Sequence, residues 1–222
     1  MKKRTWVMGG VVLAAIIIAV IALYLLPFGG QGQHATVVEA INKVDAHPRP
    51  ADTWQPAAVD MAIYGGGQVR TGADSRARLE LLEGIVRLSA DTVFTVKESV
   101  TRRGRALTTL SLQEGRLWVS LTTGRPHEFT VETGNTVAAV RDTRFSVEVA
   151  AGETLVSVAE GQVVLTAQEQ SVTVAADQQT TVKADQPPAP PEPLSDEERT
   201  LWATEGEMPE MAPPTSTPTQ TP

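Results

Sequence analysis

Between Asn135 and Val149 the chain reads NTVAAVRDTRFSVEV, with apolar and polar side chains alternating on both sides of a break at Arg141-Asp142. Val137, Ala139, Phe145, Val147 and Val149 fall at period two, the spacing that puts every second side chain on one face of a sheet. β-Branched and aromatic residues dominate the second half, which favours strand over helix. The polar break has the composition of a tight turn or a bulge. A chain built from such units has few choices of architecture.

The same grammar extends in both directions. Turn signals recur from Gly72-Ala73-Asp74 onward, more than half of them eight to twelve residues apart, at Glu83-Gly84, Ser89-Ala90-Asp91, Arg103-Gly104, Glu114-Gly115, Thr123-Gly124, Gly134-Asn135, Ala151-Gly152, Glu160-Gly161 and Asp177. Between them Leu79-Glu80-Leu81, Phe94-Thr95-Val96, Leu110-Ser111-Leu112, Phe129-Thr130-Val131 and Val172-Thr173-Val174 show the in-out-in pattern of strands buried on one face. This predicts an all-β fold of many short antiparallel strands in two sheets, either a β-sandwich of jelly-roll type or an irregular β-solenoid. Glu-Gly at 83–84, 114–115 and 160–161 separates strand-like runs each time, and glycine there supplies the positive φ of a tight hairpin.

Ahead of this region, Trp6 to Phe28 contains no charge, and as a helix its 23 residues would span roughly 34 Å, enough to cross a bilayer. Lys2, Lys3 and Arg4 precede it and no basic residue follows until Lys43, which predicts a cytoplasmic N-terminus. The run exceeds the apolar region of a cleaved signal peptide and ends in bulky Tyr24, Leu25, Leu26 and Phe28 rather than a small-x-small site. The expected organisation is a cytoplasmic tail over 1–5, a single transmembrane helix over 6–28 in contact with the lipid bilayer, and a spacer over 29–34. A β domain over 35–185 and a Pro/Thr-rich tail over 186–222 follow, outside the cytoplasm and tethered to the cytoplasmic membrane. In the tail, Ser195 and Glu198 fit a capping box, which predicts a short helix at 195–203 presenting Leu194, Leu201 and Trp202 for docking.

Composition excludes several functions. There is no cysteine, hence no disulfide, thiolate metal site or cysteine nucleophile. Setting aside Lys2, Lys3 and Arg4 leaves sixteen basic residues against 26 acidic ones, and aromatics make up 5%, so nucleic acid is not an expected partner. His34, His47 and His127 share no metal-ligand spacing, and no catalytic set or cofactor motif is found. Gly65-Gly66-Gly67 lacks the Lys-Ser/Thr of a phosphate loop and predicts a flexible loop instead. Arg141-Asp142-Thr143-Arg144 reads as a solvated corner, and Trp118 as a core residue. His127 has no partner in sequence. A non-enzymatic role is expected.

Four stretches resemble the FecR domain, which occurs outside the membrane in regulators of iron-dicitrate-type signalling and in many other bacterial proteins. They are VRTGADSRARLELLEGIVRLSADTVFTV at 69–96, LQEGRLWVSL at 112–121, FTVETGNTVAAVRDTRFSVEV at 129–149 and VSVAEGQVVLTAQEQSVTVAADQQTTV at 156–182. The resemblance covers roughly 35 to 184 and implies an exported all-β domain tethered by one helix. The family usually carries Gly-Thr-x-Phe where this chain has Asp142-Thr143-Arg144-Phe145; Asp tolerates left-handed geometry, so the turn is expected to survive the change. Only five residues precede the apolar run, too few to fold around a sigma factor, so direct anti-sigma activity is not expected. The expected function is a membrane-anchored binding module for another envelope protein, or a signal relay. Asp142, Thr143 and Phe145 are its motif turn, and Trp54 and Trp202 its candidate partner contacts. The rival reading is a structural or adhesive envelope protein that binds glycan or cell wall through its aromatics.

Overall fold

In a computed structural model, residues 34–121 and 127–204 are described, apart from the side chains of Arg102 and Arg141. The expected membrane helix and cytoplasmic tail lie outside the described residues. Among those described, no helix is long and apolar enough to cross a membrane.

The region is mostly β. Its strands are β1 (Ala35–Ile41), β2 (Val44–His47), β3 (Gln55–Pro56), β4 (Ala62–Ile63), β5 (Gly67–Thr71), β6 (Arg76–Glu80), β7 (Gly84–Leu88) and β8 (Val93–Arg102). They continue with β9 (Arg105–Leu121), β10 (His127–Glu132), β11 (Val137–Ala150), β12 (Glu153–Ala167), β13 (Gln170–Ala175), β14 (Gln178–Val182) and β15 (Glu192–Pro193). One helix, α1 (Asp196–Thr204), closes the described chain. The expected turns at Asp74, Asp91, Arg103-Gly104, Ala151-Gly152 and Asp177 all contain left-handed residues.

Two expectations need correction. The strands are not all short, since β9, β11 and β12 have 17, 14 and 15 residues, and β10 runs parallel to β9. Nor are there two separate sheets, because all fifteen strands join one hydrogen-bonded network. The network consists of two rows that share the three long strands. One row runs β3, β2, β5, β8, the first half of β9, β10, the first half of β11, the second half of β12, and β13. The other runs β4, β1, β6, β7, the second half of β9, the second half of β11, the first half of β12, β14 and β15. Residues of both rows form one core. Phe129 and Phe145, one from each row, meet edge to face at 6.5 Å.

Each long strand changes rows at a left-handed residue: Gly115 (φ 86°), Asp142 (φ 49°) and Gly161 (φ 82°). The extra residue inverts the alternation. In β9 the buried set passes from Ala106, Leu110 and Leu112 to Leu117, Val119 and Leu121; in β12, from Val156 and Val158 to Val163 and Leu165. In β11 it passes from Ala138 and Val140 to Phe145 and Val147. Val137 and Ala139 therefore do not share a face with Phe145, contrary to expectation; they are exposed. Of the three Glu-Gly pairs, only Glu83-Gly84 lies at a hairpin, and the other two mark these bulges. The Gly65-Gly66-Gly67 loop is also tightly packed, for a Cβ on Gly67 would lie 2.4 Å from the Pro48 carbonyl oxygen.

Candidate functional site

The motif turn is a structural joint. Asp142 takes up the left-handed conformation expected of it, and its N–H donates to Nε2 of buried His127 at 3.4 Å. His127, without a visible partner in sequence, thus ties the start of β10 to the joint. Thr143 is buried, its hydroxyl donating to the Gln162 carbonyl at 3.0 Å. Phe145 is fully buried. The flanking Arg144 pairs with exposed Glu160 at 3.2 Å.

The two candidate contact tryptophans lie in different places. Trp54 stays partly exposed in the loop before β3, with Arg70 4.3 Å over its ring and His47 beside it at 5.4 Å. Arg70 is held in turn by Asp45 at 3.0 Å. Trp202, on α1, meets Trp118 edge to face at 4.7 Å, so much of its ring is used within the domain. Arg144 lies 5.8 Å over Trp202, which brings the motif turn and α1 together.

Sequence reading missed the cluster beneath α1. Arg116 and Glu198 are 8% and 3% exposed and 82 residues apart. They form a two-pronged pair: the Arg116 guanidinium donates to Glu198 Oε2 at 3.0 Å and to Oε1 at 2.7 Å, and also to Glu148. Ser157 Oγ donates to Glu198 Oε2 at 2.9 Å and accepts from Trp202 Nε1 at 3.0 Å. Its one proton thus used, Ser157 accepts from Ser146 at 2.7 Å. Burial works against the Arg116 charge, but the hydrogen bond and charge of Glu198, then those of Glu148, outweigh it and hold the guanidinium pKa above its ordinary value. The capping box is half made. Ser195 Oγ accepts from the Glu198 N–H at 3.1 Å, while the Glu198 carboxylate goes to Arg116 and the Ser195 N–H to Gln179 at 3.0 Å.

A second feature emerges at the row ends. The edge of β2 is covered by β3 and by the Ala57 N–H to the Val44 carbonyl. That of β1 is covered by β4, by the Val37 N–H to the Met61 carbonyl and by the Asp60 N–H to the Val37 carbonyl. That of β14 is covered by β15 and by the Ala189 N–H to the Thr181 carbonyl. β13 pairs with β12 alone among the described residues. The Ala175 N–H turns from β12 to the Gln178 side chain at 3.0 Å. The two-residue period then directs the backbone groups of Thr173 and Ser171 outward as well. The close Thr166–Ser171 hydroxyl pair at 2.8 Å fits such a non-hydrogen-bonded register. The edge is uncharged, free of proline and unbulged.

Among the described residues no group of three or more His, Asp or Glu is placed to hold a metal ion. No curated protein matches the sequence. Two crystal structures of a candidate anti-sigma factor from Parabacteroides distasonis ATCC 8503 share the fold, each with a TM-score of 0.51 and 18% identity over 62% of this chain. The chain spans about 65% of the length of one of those structures and 64% of the other. Residues 67–164, from β5 to the middle of β12, match the family model described as FecR protein, and this chain carries a FecR-family domain.

Proposed function

We propose that this chain is a non-enzymatic FecR-type module, anchored in the cytoplasmic membrane by residues 6–28, that binds another envelope protein outside the cytoplasm and relays or scaffolds a signal. The observation that carries the reading is the open edge of β13. Exposed strand edges invite pairing, and folded proteins cover or blunt them; here, among the described residues, three row ends are covered and the fourth has no added strand. An added strand would meet the outward backbone groups of Ser171 and Thr173, the geometry of β-augmentation. Exposed Val137 and Val164 lie on the face beside that edge.

The charges favour one occupant. Glu169 and Asp177 flank the edge. Antiparallel pairing with a second copy would set Glu169 against Asp177, which like-charge repulsion disfavours. The matching partner is an extended segment of another protein, apolar and alternating, with Lys or Arg at both ends. The glycan-binding reading rests on Trp54, whose ring face is already occupied by Arg70.

Thr173→Pro tests the proposal. Proline is tolerated on an edge and here removes an outward N–H rather than a ladder bond. Tagged full-length protein recovered after crosslinking in native cells should bring down a protein partner that the variant loses. Recovery of wall polymer or glycan alone, or equal recovery by both proteins, overturns it.

A further inference from the structure

The cluster beneath α1 is built so that each member has an anchor independent of the helix. Arg116 keeps Glu148, Ser157 keeps Ser146 at 2.7 Å, and Trp118 Nε1 donates to Ser89 Oγ at 2.9 Å. Departure of α1 would therefore leave the guanidinium still paired and the indole still oriented. By contrast the helix has little of its own. It has nine residues, of which Glu198 alone is buried, and isolated helices of that length are unstable in water. It reaches the sheet through Glu198 and Trp202, one turn apart on the same face, with Leu194 buried just ahead of it. The proline-rich segment Gln186–Pro193 ties it to the domain, and the whole strap lies outside the stretch that matches the family.

We infer that Arg116, Trp118, Ser146, Glu148 and Ser157 form a preorganised receptor for a short helix bearing a carboxylate and, four residues later, a tryptophan, with α1 as its tethered occupant. Arg116 supplies the bidentate fork for the carboxylate. Ser157 accepts from the indole N–H, and Trp118 presents its ring to the indole. A helix of the same chemistry on another protein would compete with α1 for this bed. A tether of this kind gives the internal ligand an effective concentration of about 1 mM, so the external helix binds weakly until α1 is displaced. This surface is distinct from the β13 edge and does not depend on it.

The test uses full-length protein in detergent micelles and a fluorescein-labelled peptide of residues 190–204, with binding read by anisotropy. Glu198→Ala with Trp202→Ala opens the bed, and the opened variant should bind the peptide at least about tenfold more tightly than wild type. Adding Arg116→Ala, or changing Glu198 of the peptide to glutamine, should abolish the gain. An opened variant that keeps the wild-type far-ultraviolet circular dichroism yet fails to bind, or binding indifferent to Arg116→Ala, overturns the inference. Hydrogen exchange on wild-type protein gives a second reading independent of any variant. Amides of 198–204 should exchange at least about tenfold faster than those of β12, through local opening of α1. Exchange of both at the same, global rate overturns it as well.

Discussion

The carbonyl oxygen of Asp142 lies 2.7 Å from the point where a Cβ would stand on Gly161. Both residues are left-handed, and they face each other where β11 and β12 change rows. Gly161→Ala therefore meets a backbone conflict as well as an unfavourable φ, and should cost roughly 2–4 kcal/mol in urea unfolding. Asp142→Gly relaxes its φ without removing a core contact and should stay within about 1 kcal/mol of wild type. Equal losses from the two changes would contradict this account of the joint.

Asn135 ties three chain turns together. Its amide donates to the carbonyls of Val182 at 2.9 Å and Gly152 at 3.3 Å, and its oxygen accepts from the hydroxyls of Thr133 at 2.9 Å and Thr154 at 2.6 Å. Asn135→Ala strands these groups and should lower stability by roughly 1–3 kcal/mol. Asn135→Asp keeps the acceptor but not the donor, so thermal melting should place it between wild type and the alanine variant.

The cluster under α1 predicts an asymmetry between its partners. Arg116→Ala leaves the carboxylates of Glu198 and Glu148 without their cation and should cost about 3–5 kcal/mol. Glu198→Ala leaves Arg116 on Glu148 and should cost roughly 1–3 kcal/mol, expressed as loosening of α1. Chemical denaturation of both variants measures the difference; equal costs would show that Glu148 does not hold the guanidinium.

The same pair should be insensitive to alkali. A cation whose folded pKa stands above its unfolded value contributes fully below the unfolded pKa, and loses that contribution only as pH rises through the folded one. For Arg116 that window lies above about pH 12. The stability gap between wild type and Arg116→Ala should therefore hold constant from about pH 7 to pH 10, and a gap that closes in that range would contradict the assignment.

Much of the fold was legible because alternation and turn chemistry are local. Asp74, Asp91 and Asp177 mark turns in the sequence, and Ser195 marks the start of α1. What failed was phase. Glu114-Gly115 and Glu160-Gly161 look like hairpins because glycine at positive φ serves turns and bulges alike, so two long strands, β9 and β12, read as four short ones. Val137 and Ala139 lie on the face opposite Phe145 although the period-two spacing puts them together, since one bulged residue inverts everything beyond it. Arg116 and Glu198 carry no local signature, because their relationship exists only once the tail folds back across β12. The capping box predicted the helix but not where its glutamate would be used.

Protein binding at the β13 edge is the central claim, and a photoreactive amino acid placed at Ser171 in native cells tests it most directly. The control carries the same group at exposed Leu82, on the hairpin between β6 and β7. The account predicts one reproducible crosslinked protein from position 171 that is absent from position 82 and lost when Thr173→Pro is added. The same adducts from both positions, or no protein adduct from 171, would contradict it.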